Sequence, residues 1–368
     1  MRVLMAAGGT GGHLIPAVRI AEAIRRQREK SEFLFVGGDR GLEESVIASR
    51  GYQYIGLPAR GFLRSRIWRN IGALWDNLRA NRMARQTVAD YTPQVAVGCG
   101  GYASYFPIRA ARSMGIPYVL QEQNRLPGLA TRWLSASAQT VFIAFEQTRS
   151  HLSRARSIDL VGNPVDPQLA TLTRSLARKQ WGLTDAEKVI VVTGGSGGAR
   201  SINQNIVAAL KTPCARPPVT VLWQTGRQGV QWDRKPASGW VVRDFEFTDA
   251  MTEAFVAADL IIARAGALTI SEIAAAGRPA ILVPFPYATA DHQTHNARVL
   301  TEAGGAVMYD DNQLSVVSLL GIAVELLGDA QKLEKMILAS RALGRPDAAD
   351  RIATRVISLA ERTSLGEH

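Results

Sequence analysis

Short apolar runs alternate with helix-patterned segments along the whole chain. The runs are rich in Val, Ile, Leu and Phe, as expected for strands covered on both faces of a parallel sheet. The segments between them, such as Pro16 to Gln27 and Leu268 to Ala276, place apolar residues every three or four positions. This alternation is typical of βαβ units and predicts an α/β fold with parallel sheets. The predicted strands are RVLMAA (2–7), FLFVGG (33–38), QVAVGC (94–99), PYVLQE (117–122) and TVFIAF (140–145) in the first half, and KVIVVTGG (188–195), VTVLWQ (219–224), LIIARAG (260–266) and AILVPF (280–285) in the second.

The length of the chain and a cluster of turn-forming residues near its middle predict two domains. A chain of 368 residues is long for one hydrophobic core. Glycine and two prolines fall close together in IDLVGNPVDPQLA, which is typical of a linker. After Pro346, the segment RPDAADRIATRVISLAERT has the pattern of one amphipathic helix. We therefore predict an N-terminal domain over 1–161, a C-terminal domain over 162–344, and a helix over 345–368 that returns to the N-terminal domain.

Glycine-rich loops follow the first predicted strand of each half. AAGGTGGHLIPA follows the first strand and TGGSGGARSIN follows its counterpart, so that Gly8 maps onto Gly194, 186 residues further on. Glycines at the end of a parallel strand permit positive φ and close backbone approach, and the following helix N-terminus favours a phosphate. A third such turn, GCGGYASYFP, lies in the first half, where we expect two turns to converge. The repeat predicts two similar half-molecules that serve one ligand system.

Neither repeated loop fits a nucleotide-binding motif of known mechanism. No Lys-Ser/Thr pair follows a G-x-x-x-x-G, which excludes a P-loop. Counting from Gly9, the sixth residue is Leu14 rather than the last glycine of G-x-G-x-x-G. These mismatches argue against ATP hydrolysis and dinucleotide oxidoreduction. A tight βα turn without a ligand remains the alternative interpretation of each loop.

Histidines and one glutamate are the candidates for chemistry. His13 ends the first glycine loop, at the strand edge where open α/β sheets bind ligands. An imidazole there can accept a proton from a hydroxyl, or it can cap the helix or donate to a phosphate. Glu272, near the start of a predicted helix, can bind both hydroxyls of a ribose or act as a solvated first-turn charge. His292 and His295 have no evident third ligand, so we predict no metal site.

The composition adds a preference for anionic partners. The net charge is +11 and is carried mostly by arginine. No nucleic-acid-binding module or basic groove with stacking aromatics is evident, so nucleic acid is not an expected partner. Cys99 and Cys214 lack metal or redox spacing, and the sequence contains no signal-peptide pattern or run of about 18 apolar residues. We therefore expect a cytoplasmic protein.

Seven motifs, in order, resemble those of one enzyme family. They are GGTGGH with PA shortly after, GGYAS, EQN, GNPV, GGSGGA, RAGALTISE and DHQTHNA, and the resemblance runs from Arg2 to about Ala353. This order is similar to that of the MurG family, the peptidoglycan glycosyltransferases of family 28. The resemblance implies a GT-B fold, with two Rossmann-like domains whose parallel sheets face each other across a cleft. It also implies an inverting transfer of N-acetylglucosamine (GlcNAc) from UDP-GlcNAc to the 4-hydroxyl of the muramyl sugar (MurNAc) of lipid I, giving lipid II.

The resemblance assigns the UDP-GlcNAc donor to the C-terminal domain. Glu272 would bind the ribose, and Arg264 and Ser196 would lie near the diphosphate. Phe247 and Thr248 would contact the uracil, and Asp291 and Gln293 would hydrogen-bond to the sugar hydroxyls. Ala267, Leu268 and Thr269 would line the donor pocket.

The resemblance assigns lipid I to the N-terminal domain. His13 would be the catalytic base that removes the acceptor proton while UDP leaves from the opposite face of the sugar. No cofactor and no metal is implied. The acceptor residues would be Thr10, Gly11, Gly12, His13, Gly100, Gly101, Tyr102, Ser104 and Asn124. Two positions depart from the family pattern: Asp166 follows GNPV, where Arg is common, and Gly197 follows Ser196, where Gln is usual.

A polyprenyl acceptor implies contact with a bilayer. The segment FLRSRIWRNIGALWDNLRANRMARQ combines an apolar stripe, tryptophans and surrounding arginines, which is typical of an interfacial helix on anionic lipid. The stripe and its neighbouring tryptophan comprise Ile67, Trp68, Ile71, Leu74, Trp75 and Leu78. The alternative is that the stripe is domain core and the arginines a solvated face. The expected location is the cytoplasmic face of the cell membrane, where the protein would contact the anionic inner-membrane surface. Cell-wall synthesis proteins are further candidate partners.

Three rival functions stay open at this point. A UDP-GlcNAc 2-epimerase would share the fold and the donor but has no use for a basic amphipathic patch. Another GT-B glycosyltransferase with a lipid acceptor, such as a diacylglycerol galactosyltransferase, would keep most of the features. A non-catalytic lipid-carrier binding protein would tolerate the loss of the donor motifs, yet RAGALTISE and DHQTHNA look intact.

Overall fold

The chain folds into two compact units. The computed structural model describes residues 1–8, 11–40, 43–61, 70–214 and 218–364, apart from the side chains of residues 70, 71 and 364. Unit 1 comprises Met1–Pro164 together with Asp347–His368, and unit 2 comprises Val165–Pro346.

Unit 1 is built on a seven-stranded parallel sheet. The strands are β1 (Arg2–Ala6), β2 (Glu32–Gly38), β3 (Gln53–Leu57), β4 (Val95–Gly98), β5 (Tyr118–Glu122), β6 (Thr140–Ile143) and β7 (Ile158–Leu160). Their spatial order is β3-β2-β1-β4-β5-β6-β7. The connecting helices are α1 (Gly11–Gln27), α2 (Glu43–Ala48), α3 (Asn70–Tyr91), α4 (Tyr105–Ser113) and α5 (Leu129–Leu134).

The first strand shows why the apolar runs are continuous. Val3 and Met5 belong to the hydrophobic cluster that includes α1, whereas Leu4 and Ala6 belong to the cluster on the other face with α3 and α4. Successive side chains of a strand point to opposite faces, so a strand covered on both sides needs apolar residues at every position.

Unit 2 repeats this plan with six parallel strands. They are β8 (Lys188–Thr193), β9 (Val219–Gln224), β10 (Trp240–Phe245), β11 (Leu260–Ala263), β12 (Ala280–Leu282) and β13 (Ala306–Met308). The order is β10-β9-β8-β11-β12-β13. The helices are α6 (Gln168–Thr171), α7 (Arg174–Gln180), α8 (Arg200–Ala209), α9 (Met251–Ala257), α10 (Ala267–Ala276), α11 (His292–Glu302), α12 (Leu319–Gly328) and α13 (Ala330–Leu343).

The last helix, α14 (Ala348–Ser364), belongs to unit 1 and packs on α1. Ile352, Ala353 and Val356 are buried in the same hydrophobic cluster as the α1 face. At the rim of this contact Arg26 forms an ion pair with Asp350 at 2.7 Å, and Arg28 pairs with Glu361. The apolar face of α14 therefore completes the core of unit 1.

The strand order reverses at the same place in both units. β1 lies between β2 and β4, and β8 lies between β9 and β11. The strands that follow each central strand are therefore added first on one side of it and then on the other. Open α/β sheets form their ligand crevice at such a reversal, beyond the carboxyl ends of the strands. The glycine loops that follow β1 and β8 begin at that position.

The predicted α/β class with parallel sheets is confirmed, and all nine predicted strands are present. The four strands that the sequence analysis missed are β3, β7, β10 and β13, which are the two edges of each sheet. Most of their residues are only half-buried, and their apolar runs are short or interrupted by polar residues or glycine.

A buried arginine organises unit 2 at the end of the sheet opposite the glycine loop. The Arg178 side chain is 0% exposed, and its guanidinium donates to the carbonyl oxygens of Ala257, Thr184, Asp185 and Glu187. It also donates to Asp259 Oδ2 at 2.8 Å. Burial lowers the pKa of Arg178, and the Asp259 carboxylate opposes that shift.

We predict that Asp259→Ala lowers the free energy of unfolding by about 3–5 kcal/mol, because it leaves a buried guanidinium without its counter-charge. The measurement is urea unfolding followed by tryptophan fluorescence. Arg234→Ala is the matched control, because it also removes one partner of an ion pair in unit 2, that with Asp244. The Arg234 side chain is 73% exposed, so its removal should lower the free energy of unfolding by less than about 1 kcal/mol. Equal losses for both variants would contradict the structural role of the buried pair.

Candidate active site

Two glycine turns of unit 1 interlock beyond the ends of β1 and β4. The Cys99 amide donates to the Ala6 carbonyl at 2.8 Å, which extends the pairing of the two strands into their turns. Gly101 has φ 81° and ψ 153°, and a Cβ added there would overlap the carbonyl oxygen of Gly8. The expected convergence of these turns is therefore observed, and it requires glycine for both conformation and space.

His13 lies against this pair of turns, in the first turn of α1. The helix begins at Gly11, five residues before the start expected from Pro16, so His13 is helical. Its ring is half-exposed and packs on Gly100, where an added Cβ would lie 2.9 Å from His13 Nδ1. His13 Nδ1 also lies 2.9 Å from Gln123 Oε1. The Nδ1 edge of the ring thus lies against both a glycine and a buried amide.

A buried carboxylate shapes the loop that carries Asn124. Glu122 is almost fully buried and accepts hydrogen bonds from the Asn124 amide at 3.1 Å, the Gly128 amide at 3.1 Å and the Thr131 hydroxyl at 2.6 Å. Thr148 Oγ1 donates to the Asn124 carbonyl at 3.1 Å. Of the EQN motif, only Asn124 was predicted as a site residue; the position of polar residues at the end of a buried strand was the signal for Glu122 and Gln123.

The other predicted acceptor residues differ in their exposure. Gly11 and Gly12 are exposed at the N-terminus of α1, and Tyr102 is exposed beside the second turn. Ser104 is buried, and its hydroxyl donates to the Gly101 carbonyl at 2.8 Å, so it stabilises the turn. Its direct contact with an acceptor stays a prediction. Thr10 lies outside the described residues.

In unit 2 the second glycine loop packs on the turn after β9. A Cβ added at Gly198, which has φ 80°, would overlap the Thr225 carbonyl oxygen. The Arg227 amide donates to the Ser196 carbonyl at 3.1 Å, which fixes the loop backbone, and the Ser196 side chain is exposed. Gly197, the departure from the family pattern, is also exposed. The loop therefore presents its backbone ahead of α8.

Arg264 connects three elements of unit 2. Its guanidinium forms an ion pair with Asp311 at 2.5 Å and donates to Ser201 Oγ at 2.9 Å, to the Pro284 carbonyl at 3.0 Å and to the Val283 carbonyl at 3.2 Å. Ser201 in turn donates to Asp311 at 2.6 Å. These contacts give Arg264 a structural role beside the second glycine loop, and its place near a diphosphate stays a prediction.

The helix that carries Glu272 begins just beyond β11. Gly266 precedes α10 and has no side chain with which to cap the helix, and Ala267, Leu268 and Thr269 form the first turn, all partly exposed. The backbone N–H groups of a first helical turn lack intrahelical partners and favour an anion. Glu272 follows in the second turn and is half-exposed.

The remaining predicted donor residues follow β10 and β12. Gln293 Oε1 accepts from the Phe285 amide at 3.0 Å, and Asp291, with φ 52°, accepts from the Thr294 hydroxyl at 2.6 Å. Phe247 is exposed just after β10, where Thr248 Oγ1 accepts from the Ala250 amide at 3.1 Å. The donor candidates thus all follow the carboxyl ends of β8, β10, β11 or β12, which form one edge of the sheet.

No group of three or more His, Cys, Asp or Glu side chains that could hold a metal occurs within the described residues. His292 Nδ1 lies 2.8 Å from the Thr289 carbonyl, to which it donates. Burial raises the pKa of the Cys99 thiol, which keeps it protonated under the second turn of unit 1.

Three apolar side chains on α3 are exposed. Leu74 is 54%, Trp75 71% and Leu78 54% exposed, whereas Ala73, Ala80 and Ala84 are buried. Arg79, Arg82 and Arg85 are also exposed on this helix. Ile67, Trp68 and the side chain of Ile71 lie outside the described part of the chain. None of the helices within the described ranges is long and apolar enough to cross a bilayer.

Family models match both parts of the chain. The glycosyltransferase family 28 N-terminal domain matches residues 3–143, and the family 28 C-terminal domain matches residues 189–352. A Bacteroides fragilis protein named UDP-N-acetylglucosamine–N-acetylmuramyl-(pentapeptide) pyrophosphoryl-undecaprenol N-acetylglucosamine transferase is 38% identical, over 99% of this chain and 97% of its own length. A protein of the same name from Desulfitobacterium hafniense is 35% identical over 96% of this chain and 97% of its own length.

Solved structures share the two-unit architecture. The crystal structure of Acinetobacter baumannii MurG matches with a TM-score of 0.77 and 29% identity, over 97% of this chain and 99% of that one. A UDP-GlcNAc 2-epimerase from Neisseria meningitidis, bound to UDP-GlcNAc, matches with a TM-score of 0.64 but 13% identity, over 98% of this chain and 100% of that one. The second likeness concerns the fold alone.

We predict that Gly101→Ala disrupts the interlocked turns and lowers the free energy of unfolding by more than about 3 kcal/mol, because the backbone strain adds to a clash with the Gly8 carbonyl. Gly115→Ala is the matched control: Gly115 has φ 71°, and an added Cβ there has no atom within 4 Å. It should cost only about 1–2 kcal/mol of strain. The measurement is urea unfolding of both variants. Similar losses would mean that contact between the turns contributes nothing.

Proposed function

The chain belongs to glycosyltransferase family 28, and from this premise we propose that it transfers GlcNAc from UDP-GlcNAc to the 4-hydroxyl of MurNAc in lipid I, giving lipid II for peptidoglycan synthesis. The observation that carries the proposal is the similarity to transferases of this name at 35–38% identity over almost the full length of both chains. It is supported by the likeness to the A. baumannii MurG structure, whose GT-B fold the two parallel-sheet units match.

The donor half of the reaction is assigned to unit 2. The exposed backbone of the Gly194–Gly198 loop and the first turn of α10 present N–H groups at the same sheet edge. Preorganised N–H groups stabilise the charge that develops on a leaving diphosphate. Glu272 is proposed to accept hydrogen bonds from the ribose hydroxyls, with Gln293 and Asp291 on the sugar.

The acceptor half is assigned to unit 1, with His13 as the base. In one displacement, the 4-hydroxyl oxygen forms a bond to the anomeric carbon of GlcNAc and the bond from that carbon to UDP breaks. UDP keeps the electron pair of that bond, and the hydroxyl proton passes to His13. Attack from the face opposite UDP inverts the anomeric centre. General-base assistance of this kind contributes about 10²- to 10⁴-fold in rate.

The 2-epimerase reading is the less favoured alternative. Solved 2-epimerase structures resemble the chain at 12–16% identity, which reflects the shared fold. An epimerase also needs no acceptor site, whereas the acceptor motifs in unit 1 lie together around His13 and Asn124.

Contact with a membrane is proposed for the exposed face of α3. Leu74, Trp75 and Leu78 form an apolar surface beside three exposed arginines, and the acceptor of the proposed reaction carries a polyprenyl chain. An apolar face inserts at the bilayer boundary while arginines attract anionic headgroups. The protein is therefore proposed to act on the cytoplasmic face of the cell membrane, as a peripheral protein.

We predict that His13→Ala lowers kcat for transfer of labelled GlcNAc to a short-chain lipid I analogue by about 10²- to 10⁴-fold, with UDP binding preserved. Glu272→Ala should instead raise the KM for UDP-GlcNAc by about 10- to 100-fold, since hydrogen bonds to a charged group are lost. Steady-state kinetics separate the two effects.

The matched controls are His151→Ala in unit 1 and Glu325→Ala in unit 2, both exposed and away from the candidate residues. They should leave kcat and KM unchanged. Wild-type protein that binds UDP-GlcNAc but makes no disaccharide would reject the acceptor assignment and keep the donor site.

We predict that the double variant Trp75→Ser, Leu78→Ser binds vesicles of phosphatidylglycerol at least about 10-fold more weakly than the wild type, because two exposed apolar anchors are lost. Sedimentation with vesicles measures binding, and added salt should weaken binding of both proteins by screening the arginines. Leu338→Ser, at a residue equally exposed but in unit 2, is the control and should bind normally. Unchanged binding of the double variant would exclude this face as the membrane contact.

A further inference from the structure

The orientation of the Gln123 amide is fixed by a partner that can only accept. Gln123 is 2% exposed, and its Nε2 lies 2.7 Å from the carbonyl oxygen of Cys99. A backbone carbonyl has no hydrogen to give, so the amide nitrogen must face Cys99 and the amide oxygen must face His13. The two ends of this side chain are therefore distinguished by chemistry.

Two further buried side chains continue the arrangement in the same direction. The second hydrogen of Gln123 Nε2 is donated to Gln121 Oε1, and Gln121 Nε2 donates to Asn163 Oδ1 at 2.9 Å. Asn163 Nδ2 donates to the backbone carbonyl of Gln123 at 3.1 Å. This last acceptor is again a backbone carbonyl, which can only accept, so the direction of donation along this series of hydrogen bonds is fixed. Hydrogen bonds aligned in one direction polarise and strengthen one another.

The other end of this series of hydrogen bonds is His13, the candidate base. Because Gln123 Oε1 can only accept, the hydrogen bond of 2.9 Å to His13 Nδ1 requires that Nδ1 carry the proton. A neutral imidazole has one N–H, so Nε2 then carries the lone pair. Within the described residues, Nε2 of the half-exposed His13 ring makes no hydrogen bond that would compete with a ligand.

We propose that Gln123 is a positioning residue that holds His13 in the Nδ1-protonated tautomer, so that Nε2 is the atom that accepts the acceptor hydroxyl proton. The inference rests on the proposed function for the use of Nε2 in the transfer, whereas the tautomer itself follows from the contacts of Gln123. Gly100 supports the same arrangement, because the absence of a Cβ lets the ring lie close to the turn.

The tautomer is measured directly on the full chain without substrate. Nitrogen-15 NMR of the imidazoles distinguishes a protonated from an unprotonated ring nitrogen, and the chain has five histidines, so His13→Ala assigns the His13 signals. At a pH where His13 is neutral, the wild type should show a protonated Nδ1 and an unprotonated Nε2. A wild-type spectrum with the proton on Nε2, or with a mixture of the two tautomers, would overturn the proposal.

The second measurement compares two variants of equal bulk. Gln123→Met removes the acceptor for Nδ1, so the NMR spectrum should shift towards the other tautomer and kcat should fall by about 10- to 100-fold, with the KM for UDP-GlcNAc unchanged. Gln121→Met is the matched control, because Gln121 is also fully buried on β5 but Gln123 keeps its bond to the Cys99 carbonyl. It should retain the wild-type tautomer and lose less than half of kcat.

The outcomes separate the tautomer from the reaction. Equal losses of kcat in both variants with an unchanged spectrum would show that the amides only support the fold, against the proposal. If His13→Ala kept full transfer activity while the wild type showed the expected tautomer, the role of His13 as base would fall and the hydrogen bond would be structural alone.

Discussion

The contact between the backbones of Gly8 and Gly101 is the constraint on which the rest of unit 1 depends. β1 and β4 are neighbours in the sheet, and their connections leave in opposite directions, so their two turns must share the space beyond the strand ends. That space is too small for a Cβ on Gly101, and the conformation of Gly101 is one that other residues rarely adopt. Shortly after this contact α1 begins at Gly11, and its first turn brings His13 against Gly100.

In unit 2 the glycine loop is also packed against a neighbouring turn, but through different contacts. The loop after β8 packs on the turn after β9, through Gly198 and the Thr225 carbonyl, so its outer backbone remains exposed. On the other side of β8, Arg264 joins the end of β11 to Asp311 and to the backbone after β12. The result is a hydrogen-bonded edge around an exposed loop, and the proposed binding of the donor diphosphate rests on the backbone N–H groups of that loop.

The central part of the fold was predictable from the sequence because burial on both faces leaves a visible pattern. Val3 to Ala6 and Val189 to Val192 are apolar at every position, and glycines follow both runs. The edge strands had no such pattern: Ile158 to Leu160 includes a charged residue, and all three of its residues are half-buried. The convergence of the two glycine turns of unit 1 was also predictable, since turn chemistry depends on residue type; the role of His13 stays a prediction. The start of α1 was not, because Pro16 is typical of a helix start and only the packing of the turns places that start earlier.

The contacts among the buried amides could not have been predicted, because Gln121, Gln123 and Asn163 meet only after β5 and the segment following β7 are brought together. Their chemistry also explains why amides suit this layer. A carboxylate in place of Gln123 would face the Cys99 carbonyl with no hydrogen to donate, and a buried charge without a partner is costly. Position 122, one residue away, accommodates a glutamate because the Asn124 and Gly128 amides and the Thr131 hydroxyl donate to its side chain. An amide at position 123 donates to one carbonyl, accepts from His13 and adds no charge, so it can orient the imidazole while both hydrogens of its own Nε2 stay hydrogen-bonded.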